Sequence, residues 1–403
     1  MQRHVLHMDL DSFFVSVERL QDRRLEGRPI LIGGTSDRGV VASCSYEARK
    51  FGIRSAMPMR MARSLCPEAV VIRGNSAAYS KQSKVVTDII REQVPILEKS
   101  SIDEFYADLT GMDRFFGALS FSSELRQRVM RESGLPISFG LSVNKTVSKV
   151  ATGEAKPNNQ RHVSGGDERS FLAPLSVRKI PMVGEKTYQT LRNLGIQHIG
   201  TLQEMPVDML YSVFGKPGQN LWEKAQGVDA SPVQPTHERK SISTERTFDQ
   251  DSADIEKLQS ILVAMVENLA FQLRRGHKLT SCVRIKLRYA DFQTHSQQVS
   301  IPYTASDAIL ISKSKELFQR LYDRRVRIRL IGVHFSGLVG GGEQYHLFET
   351  CDRNDRLYAA MDHIRIAYGD RAVVRAYGLG ARTIGRGNPF NGEPPPLLAN
   401  RRS

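Results

Sequence analysis

Apolar and polar positions fall into three regimes along the chain. In the first, short apolar runs end in acids or glycines. His4 to Leu10 reads as a short buried strand, and Phe13, Val17 and Leu20 follow at helical spacing. Pro29 to Gly33 and Gly39 to Ser43 read as further strands, the second leading into a helix through Tyr46, Ala48 and Arg49. Ile96 to Leu109 (ILEKSSIDEFYADL) reads as two strands around a tight acidic turn, Ile137 to Val143 as a strand, and Asn144 to Glu154 as a helix. Strands and helices are mixed rather than strictly alternating, which predicts an α+β fold and not a doubly wound sheet.

In the second regime, residues 175–228, strand signals vanish. Short helical patterns remain, separated by Pro181, Gly184, Gly195, Pro206, Gly215 and Gly218, and this predicts a small all-helical module. Residues 229–240 (DASPVQPTHERK) are Pro-rich and polar and read as an interdomain linker. The third regime, 241–338, is the cleanest. Ser241–Phe248 is a strand, and Asp254–Arg275 a helix with Ile255, Leu258, Leu262, Met265, Leu269 and Leu273 on one face. Thr280–Tyr289 and Gln297–Tyr303 are strands, Ser306–Arg324 a helix and Arg327–Ser336 a strand, in the order βαββαβ. Residues 339–403 read as a flexible tail with one helix, Arg353–Tyr368, and a Pro-rich, disordered end after Gly385.

Composition narrows the partners. The chain has 403 residues, 40% hydrophobic and 25% charged, which excludes disorder throughout and is ample for more than one core. Lys and Arg number 57 against 43 Asp and Glu, a net charge of +14, so a polyanion, nucleic acid first, is the favoured partner. Four cysteines are scattered without CxxC spacing, which argues against a disulfide scaffold or a zinc ribbon. No apolar run approaches the roughly 20 residues of a membrane span, and Asp9 and Asp11 interrupt the start, so the expectation is a cytoplasmic protein without a signal peptide.

The candidate chemistry lies in acids at strand ends. Asp9 and Asp11 are two apart, so on a strand both point to one face. Asp103 and Glu104 lie at the turn of the predicted hairpin. Clustered carboxylates repel unless a cation neutralises them, and Mg²⁺ with its preference for hard oxygen ligands suits such a place. Two such ions are the usual machinery of nucleotidyl transfer. Either pair taken alone reads first as turn and cap residues.

Four blocks occur in order: MDLDSFFVSVE, GVVASCSYEARKFGIRSAMP, SIDE and GLSVNKTVSKVATGEAKPN. Together they resemble a Y-family, translesion DNA polymerase of the bacterial DinB type, over about residues 1–338. The resemblance implies a multidomain right-hand fold. Palm and fingers would occupy 1–174, with fingers near 12–76, a ferredoxin-like palm sheet, a thumb with a helix-hairpin-helix at 175–228 and a βαββαβ little finger at 241–338. It also implies template-directed, low-fidelity extension of a primer 3′-OH with dNTPs during DNA repair and damage tolerance.

Carried over residue by residue, the resemblance assigns Asp9, Asp103, Glu104 and the Leu10 carbonyl to two Mg²⁺ ions, with Asp9, Asp103 and Glu104 as catalytic acids and Asp11 in an undefined role. Ser43, Tyr46, Arg49 and Lys156 would hold the incoming triphosphate, aided by the Phe13 amide. Phe14 would be the steric gate that clashes with a ribose 2′-OH. DNA contacts would fall on Gly184, Lys186, Lys240, Arg284, Lys286, Arg288 and Arg329. Arg284, Lys286 and Arg288 alternate and so line one strand face, a one-sided cationic surface suited to a duplex backbone.

Two features depart from or extend the family pattern. The thumb hairpin usually reads Pro-Gly-Ile-Gly, and here Met182 replaces the first glycine. Gln344-Tyr345-His346-Leu347-Phe348 resembles the bacterial sliding-clamp-binding pentapeptide, with Gln344, Leu347 and Phe348 as the clamp contacts. The expected partners are primer–template DNA, dNTPs and the sliding clamp through 344–348, with no membrane and a monomeric state. The competing reading is a catalytically silent DNA-binding accessory subunit of a mutagenic repair complex. Retention of Asp9, Asp103 and Glu104 counts against it.

Overall fold

The computed structural model describes residues 3–36, 38–112, 117–235, 238–341, 352–369, 372–379 and 381. These divide between residues 235 and 238 into two compact units.

The first unit begins with β1 (Val5–Leu10), α1 (Phe13–Gln21), β2 (Ile30–Gly33), β3 (Val41–Cys44), α2 (Tyr46–Lys50), α3 (Met59–Leu65), β4 (Val70–Ile72) and α4 (Ser76–Arg91). It continues through β5 (Ile96–Lys99), β6 (Glu104–Asp108), α5 (Ala118–Ser133), β7 (Ile137–Ser142), α6 (Lys145–Ala155) and β8 (Gln160–His162). The apolar run of β1 takes the centre of a five-stranded sheet ordered β5-β6-β1-β7-β8, antiparallel to β6 and β7. A central strand is covered on both faces, and so β1 is buried almost throughout, His7 included. Its last residues, Asp9 and Leu10, are set beside Glu104 of β6 and Ser138 of β7 by the register. A smaller sheet ordered β3-β2-β4 has its own core of Leu31, Val41, Cys44, Ile53 and Met59.

α6 lies directly on β7. A Cβ at Gly140 would sit 2.2 Å from the Ser148 carbonyl oxygen and 2.5 Å from the Thr152 nitrogen, so only glycine lets the helix approach. That approach brings one row of α6, Lys145, Lys149 and Thr152, with Lys156 following, along the sheet at i, i+4, i+7 and i+11. Their partners climb the sheet in step: Glu98 on β5, Glu104 on β6, then His7 and Asp9 on β1.

The all-helical region appears as α7 (Glu168–Leu172), α8 (Glu185–Asn193), α9 (Ile199–Gln203), α10 (Val207–Phe214) and α11 (Lys216–Ala225) around Leu172, Ile180, Leu191, Ile199 and Leu210. At the hairpin before α8, Met182 takes the left-handed conformation (φ 80°) that glycine would adopt freely, with its side chain 68% exposed. The hairpin path therefore survives the glycine's replacement.

Residues read as linker are partly fixed. Asp229 accepts from the Thr146 amide and hydroxyl at 3.1 and 2.7 Å, Arg3 donates to the Ser231 carbonyl at 2.6 Å, and the Gln234 amide donates to Glu98 at 2.8 Å. Val233 is buried against Val5 and Tyr106. The stretch 229–234 is thus a strap on the palm, and the Pro-rich composition concealed its single apolar anchor.

The second unit has β9 (Ser241–Ser252), α12 (Ile255–Arg275), β10 (Lys278–Tyr289), β11 (Thr294–Thr304), α13 (Asp307–Leu321), β12 (Ile328–Ser336), β13 (Val339–Gly340) and α14 (Asp352–Tyr368). β9 to β12 give the expected βαββαβ order in an antiparallel sheet β11-β10-β12-β9, with Val283, Ile285, Leu287 and Tyr289 of β10 buried in the core with both helices. The helix expected in the tail forms, but the expectation of a flexible tail does not hold for it. Arg274 of α12 grips Asp362 of α14 with two bonds of 2.6 and 2.9 Å, and Tyr358 packs beneath the Arg274 guanidinium. The clamp-like pentapeptide 344–348 and the stretch after Gly385 lie outside the described residues.

Candidate active site

Three elements converge at the end of β1. Asp9 stands beside Glu104 across the sheet, and Asp103 precedes Glu104 in the turn, where its carbonyl accepts from the Leu10 amide at 3.0 Å. Ser101 shapes that turn: its hydroxyl donates to Asp103 at 2.5 Å and accepts from the Asp103 and Glu104 amides at 3.2 and 3.1 Å. Two lysines of the α6 row answer the acids. Lys149 Nζ lies 2.6 Å from Glu104, and Lys156 Nζ contacts Asp9 and lies 3.5 Å from the Leu10 carbonyl oxygen.

The electrostatics are unbalanced in favour of acid. Burial, and then the neighbouring Asp103 and Glu104, push the Asp9 pKa up to about 7 against the pull of Lys156. Burial also raises Asp103, opposed by its Ser101 bond and reinforced by Glu104. Glu104 goes the other way. Burial disfavours its charge, but Lys149, His7 and Lys156 together bring it down to about 2. Among the described residues no three Asp, Glu, His or Cys side chains already converge as a metal cage. The donor set nevertheless fits a hard divalent cation: all-oxygen ligands, an excess of buried carboxylate, and one acid, Asp9, whose pKa burial and its neighbouring carboxylates raise.

Asp11 parts company with Asp9. Alternation holds only inside a strand, and β1 ends at Leu10, after which Ser12 turns left-handed (φ 44°) to start α1. Both acids still approach one ammonium: Lys156 Nζ contacts Asp9 and lies 3.8 Å from Asp11. Asp11 is 2% exposed and accepts from Tyr46 Oη at 3.1 Å, Ser138 Oγ at 2.8 Å and the Asn158 amide at 2.8 Å.

The remaining site residues fall around this centre. Tyr46 opens α2, with the Arg49 guanidinium 4.5 Å over its ring, as i, i+3 spacing allows. Ser43 lies half-buried on β3. Phe13 is buried, whereas Phe14 is partly exposed and stacks on Tyr79 at 4.3 Å with an interplanar angle of 14°. Tyr79 is itself pinned by a 2.5 Å bond to Glu18.

Sequence reading missed Lys149, Ser101, Ser138 and Tyr79. Lys149 was recoverable, being seven residues before Lys156 and so on the same helix face. The others depend on tertiary register, and nothing local marks them.

The DNA candidates fall on other elements of the two units. Gly184 and Lys186 are exposed at the start of α8, and Lys240 is exposed just before β9. On the sheet of the second unit, Arg284 donates to Gln298 at 2.9 Å, Arg288 to Thr294 at 2.8 Å, and Lys286 pairs with Glu245 at 2.9 Å. Arg329 lies 4.0 Å from Asp251 and covers the Phe292 ring. The face is thus not purely cationic, because the sheet register brings Glu245 beside Gly332, which itself faces Lys286.

Comparison with known proteins decides between an active enzyme and a silent relative. The impB/mucB/samB family matches residues 8–153, its C-terminal domain matches 239–347, and a DNA polymerase-iota thumb domain matches 178–229. DNA polymerase IV of Dehalococcoides mccartyi is 38% identical over 381 residues, covering 92% of this chain and 96% of the relative. The chain belongs to the Y family of DNA polymerases. It is a DNA-directed DNA polymerase of the DNA polymerase IV, translesion type, and the accessory-subunit reading falls. DNA polymerase IV of Halorhodospira halophila is 36% identical over 351 residues, covering 86% of this chain and 99% of the relative. A Y-family DNA polymerase chimera, Dbh-Dpo4(243-245)-Dbh, shares the fold with a TM-score of 0.75 at 22% identity over 84% of this Y-family chain and all of the chimera. Among the described residues no helix is long and apolar enough to cross a membrane.

Proposed function

We propose that this Y-family polymerase extends a primer 3′-hydroxyl with dNTPs opposite damaged or distorted templates, at low fidelity and in the service of DNA repair, with two Mg²⁺ ions. It acts as a cytoplasmic monomer. The observation that carries this reading is the gathering of Asp9, Asp103 and Glu104 at one sheet end, beside Lys156 and near Tyr46 of α2, whose hydroxyl bonds Asp11.

Asp9, Asp103, Glu104 and the Leu10 carbonyl would hold the cations. Bound there, Mg²⁺ supplies Lewis-acid charge for the attacking hydroxyl and for the leaving pyrophosphate. The chain's own part is positioning and charge. A cation held there would favour the charged form of Asp9, whose pKa burial and neighbouring acids raise. Lys156, paired with Asp9 here, is then free to meet the β- and γ-phosphates. Arg49 supplies a two-pronged fork to phosphate oxygens, and Ser43 and Tyr46 donate single bonds, with the Phe13 amide beside them. Phe14, stacked on Tyr79, would exclude a ribose 2′-hydroxyl.

Primer–template DNA would be held through its phosphates by Gly184 and Lys186 of the thumb and by Lys240, Arg284, Lys286, Arg288 and Arg329 of the little finger. The pentapeptide at Gln344, Leu347 and Phe348 would tether the polymerase to the bacterial sliding clamp, a reading supported by its sequence alone.

Primer extension on an undamaged template with Mg²⁺ tests the chemistry. Asp103→Ala should lower extension by about a thousandfold or more while primer–template binding persists, since it removes a group acting on transition-state charge. Extension undiminished in that variant would refute the assignment. A template carrying a bulky lesion then tests bypass.

A further inference from the structure

Asp11 is buried beside the metal acids yet spends its hydrogen-bonding capacity elsewhere. One oxygen, Oδ2, takes the Ser138 hydroxyl and the Asn158 amide, both at 2.8 Å. Ser138 Oγ in turn accepts from the Asn159 amide at 3.2 Å. From the other side Arg126 of α5 donates to the Asn158 carbonyl at 2.7 Å and to the Ile137 carbonyl at 2.9 Å. These contacts grip consecutive residues of one turn. That turn follows directly on Lys156, the C-cap of α6, and Asn158 in it holds an unfavourable left-handed backbone (φ 48°). A non-glycine residue keeps such a conformation only where its surroundings enforce it.

We infer that Asp11 is a positioning residue and not a metal ligand: together with Ser138 it clasps the 158–159 turn and so fixes where Lys156 presents its ammonium to the triphosphate. The inference rests on the proposed role of Lys156. The closest approach of Asp11 to Lys156 Nζ is 3.8 Å, against direct contact from Asp9, so its action on the lysine runs mainly through the backbone. Oδ1 holds the Tyr46 hydroxyl, which has one proton and must leave Asp11 when it donates to phosphate. The clasp is therefore independent of the Tyr46 contact, which breaks in the working enzyme.

Steady-state single-nucleotide insertion separates the possibilities. Asp11→Asn keeps the shape but puts an amide against two donors. It should raise the KM for dNTP about tenfold while leaving kcat within about threefold, the mark of lost binding rather than lost chemistry. Ser138→Ala, a milder cut that retains the fold, should raise KM about threefold. In a Lys156→Ala background both effects should vanish, because a positioning residue has nothing left to position. Direct titration with dNTP and Mg²⁺ should show the same loss of affinity without turnover. A kcat loss in Asp11→Asn comparable to Asp103→Ala, or a changed Mg²⁺ requirement, would make Asp11 a ligand and overturn the inference. An undiminished KM effect in the Lys156→Ala background would overturn it as well. Wild-type insertion serves as the control: its failure would count against the polymerase mechanism itself.

Discussion

Two buried charge networks in this protein solve opposite problems. In the palm, Asp9, Asp11, Asp103 and Glu104 face Lys149 and Lys156, so acid outnumbers base. In the second unit, Glu267 of α12, Asp307 of α13 and Asp362 of α14 face Arg274, Arg365 and Arg375, and the signs balance. The palm uses lysine, a mobile point charge on a long stem, and the second unit uses arginine, a planar fork that locks two oxygens at once. Lysine contacts can be given up when another cation or a phosphate arrives. The arginine forks bind α14 to the helices beneath it, with Arg365 3% exposed and Asp307 fully buried. A network built to be opened is left short of positive charge, whereas one built to fasten is closed.

The largest expected divergence comes from deleting one charge in each network. Asp9→Ala should lower extension about a thousandfold or more without unfolding the palm, since it relieves a surplus. Arg274→Ala should destabilise the second unit by about 3 kcal/mol, because it removes the guanidinium that hydrogen-bonds both Asp307 and Asp362 and leaves them only the longer contacts of Arg375 and Arg365. Chemical denaturation of each variant, with primer extension alongside, checks both. Replacing Arg274 and Asp362 together by Met and Leu should recover much of that stability, as apolar isosteres of a buried pair often do. If the double variant is as unstable as Arg274→Ala, the network is more than a fastener and the contrast weakens.

A smaller effect appears with pH in the absence of metal. The Asp9 pKa is raised in the folded state to about 7 from an ordinary value near 3.8. Its protonated form therefore favours folding, and that contribution is complete below the unfolded value and lost as pH rises through about 7. Asp9→Asn stays neutral throughout. In EDTA, its melting temperature relative to wild type should climb by a few degrees between pH 5.5 and 8, and Mg²⁺ should close the gap by stabilising wild type alone. Parallel melting curves for the two proteins over that range would contradict an acid surplus in the palm.

The same contrast explains what the sequence made legible. Asp9, Asp103 and Glu104 stood out because acids at the ends of apolar runs break the pattern locally. The βαββαβ unit was readable because its helices carry long, regular apolar stripes. The role of Asp11 stayed undefined because its partners, Ser138 and Asn158, lie more than a hundred residues away in sequence. Asp362 and Arg365 drew no assignment from the sequence, although both are largely removed from water. Burial of charge is decided by partners far away in sequence, here Arg274 and Glu267, so a local pattern cannot report it. The strap at 229–234 was hidden for the same reason: one valine among prolines and polar residues gives no periodicity.

That strap supplies the mildest test, since Asp229 joins a single carboxylate to the start of α6 and belongs to neither network. Burial disfavours its charge, but bonds from Ser231 and Thr146 outweigh this and hold its pKa below the ordinary carboxylate value. The sign is opposite to that of Asp9. The Asp229 contribution is present above the unfolded value and is lost as pH falls through the folded one. Asp229→Ala should therefore cost about 1–2 kcal/mol at neutral pH, the worth of charge-assisted bonds to an amide and a hydroxyl at a helix start. The deficit should shrink in acid. Hydrogen exchange should show faster opening of residues 229–234 and of the first turn of α6, with the end of β1 unaffected. Equal exchange in both proteins would mean that Val233 alone fixes the strap, and that a lone carboxylate at its edge adds nothing to what apolar burial already secures.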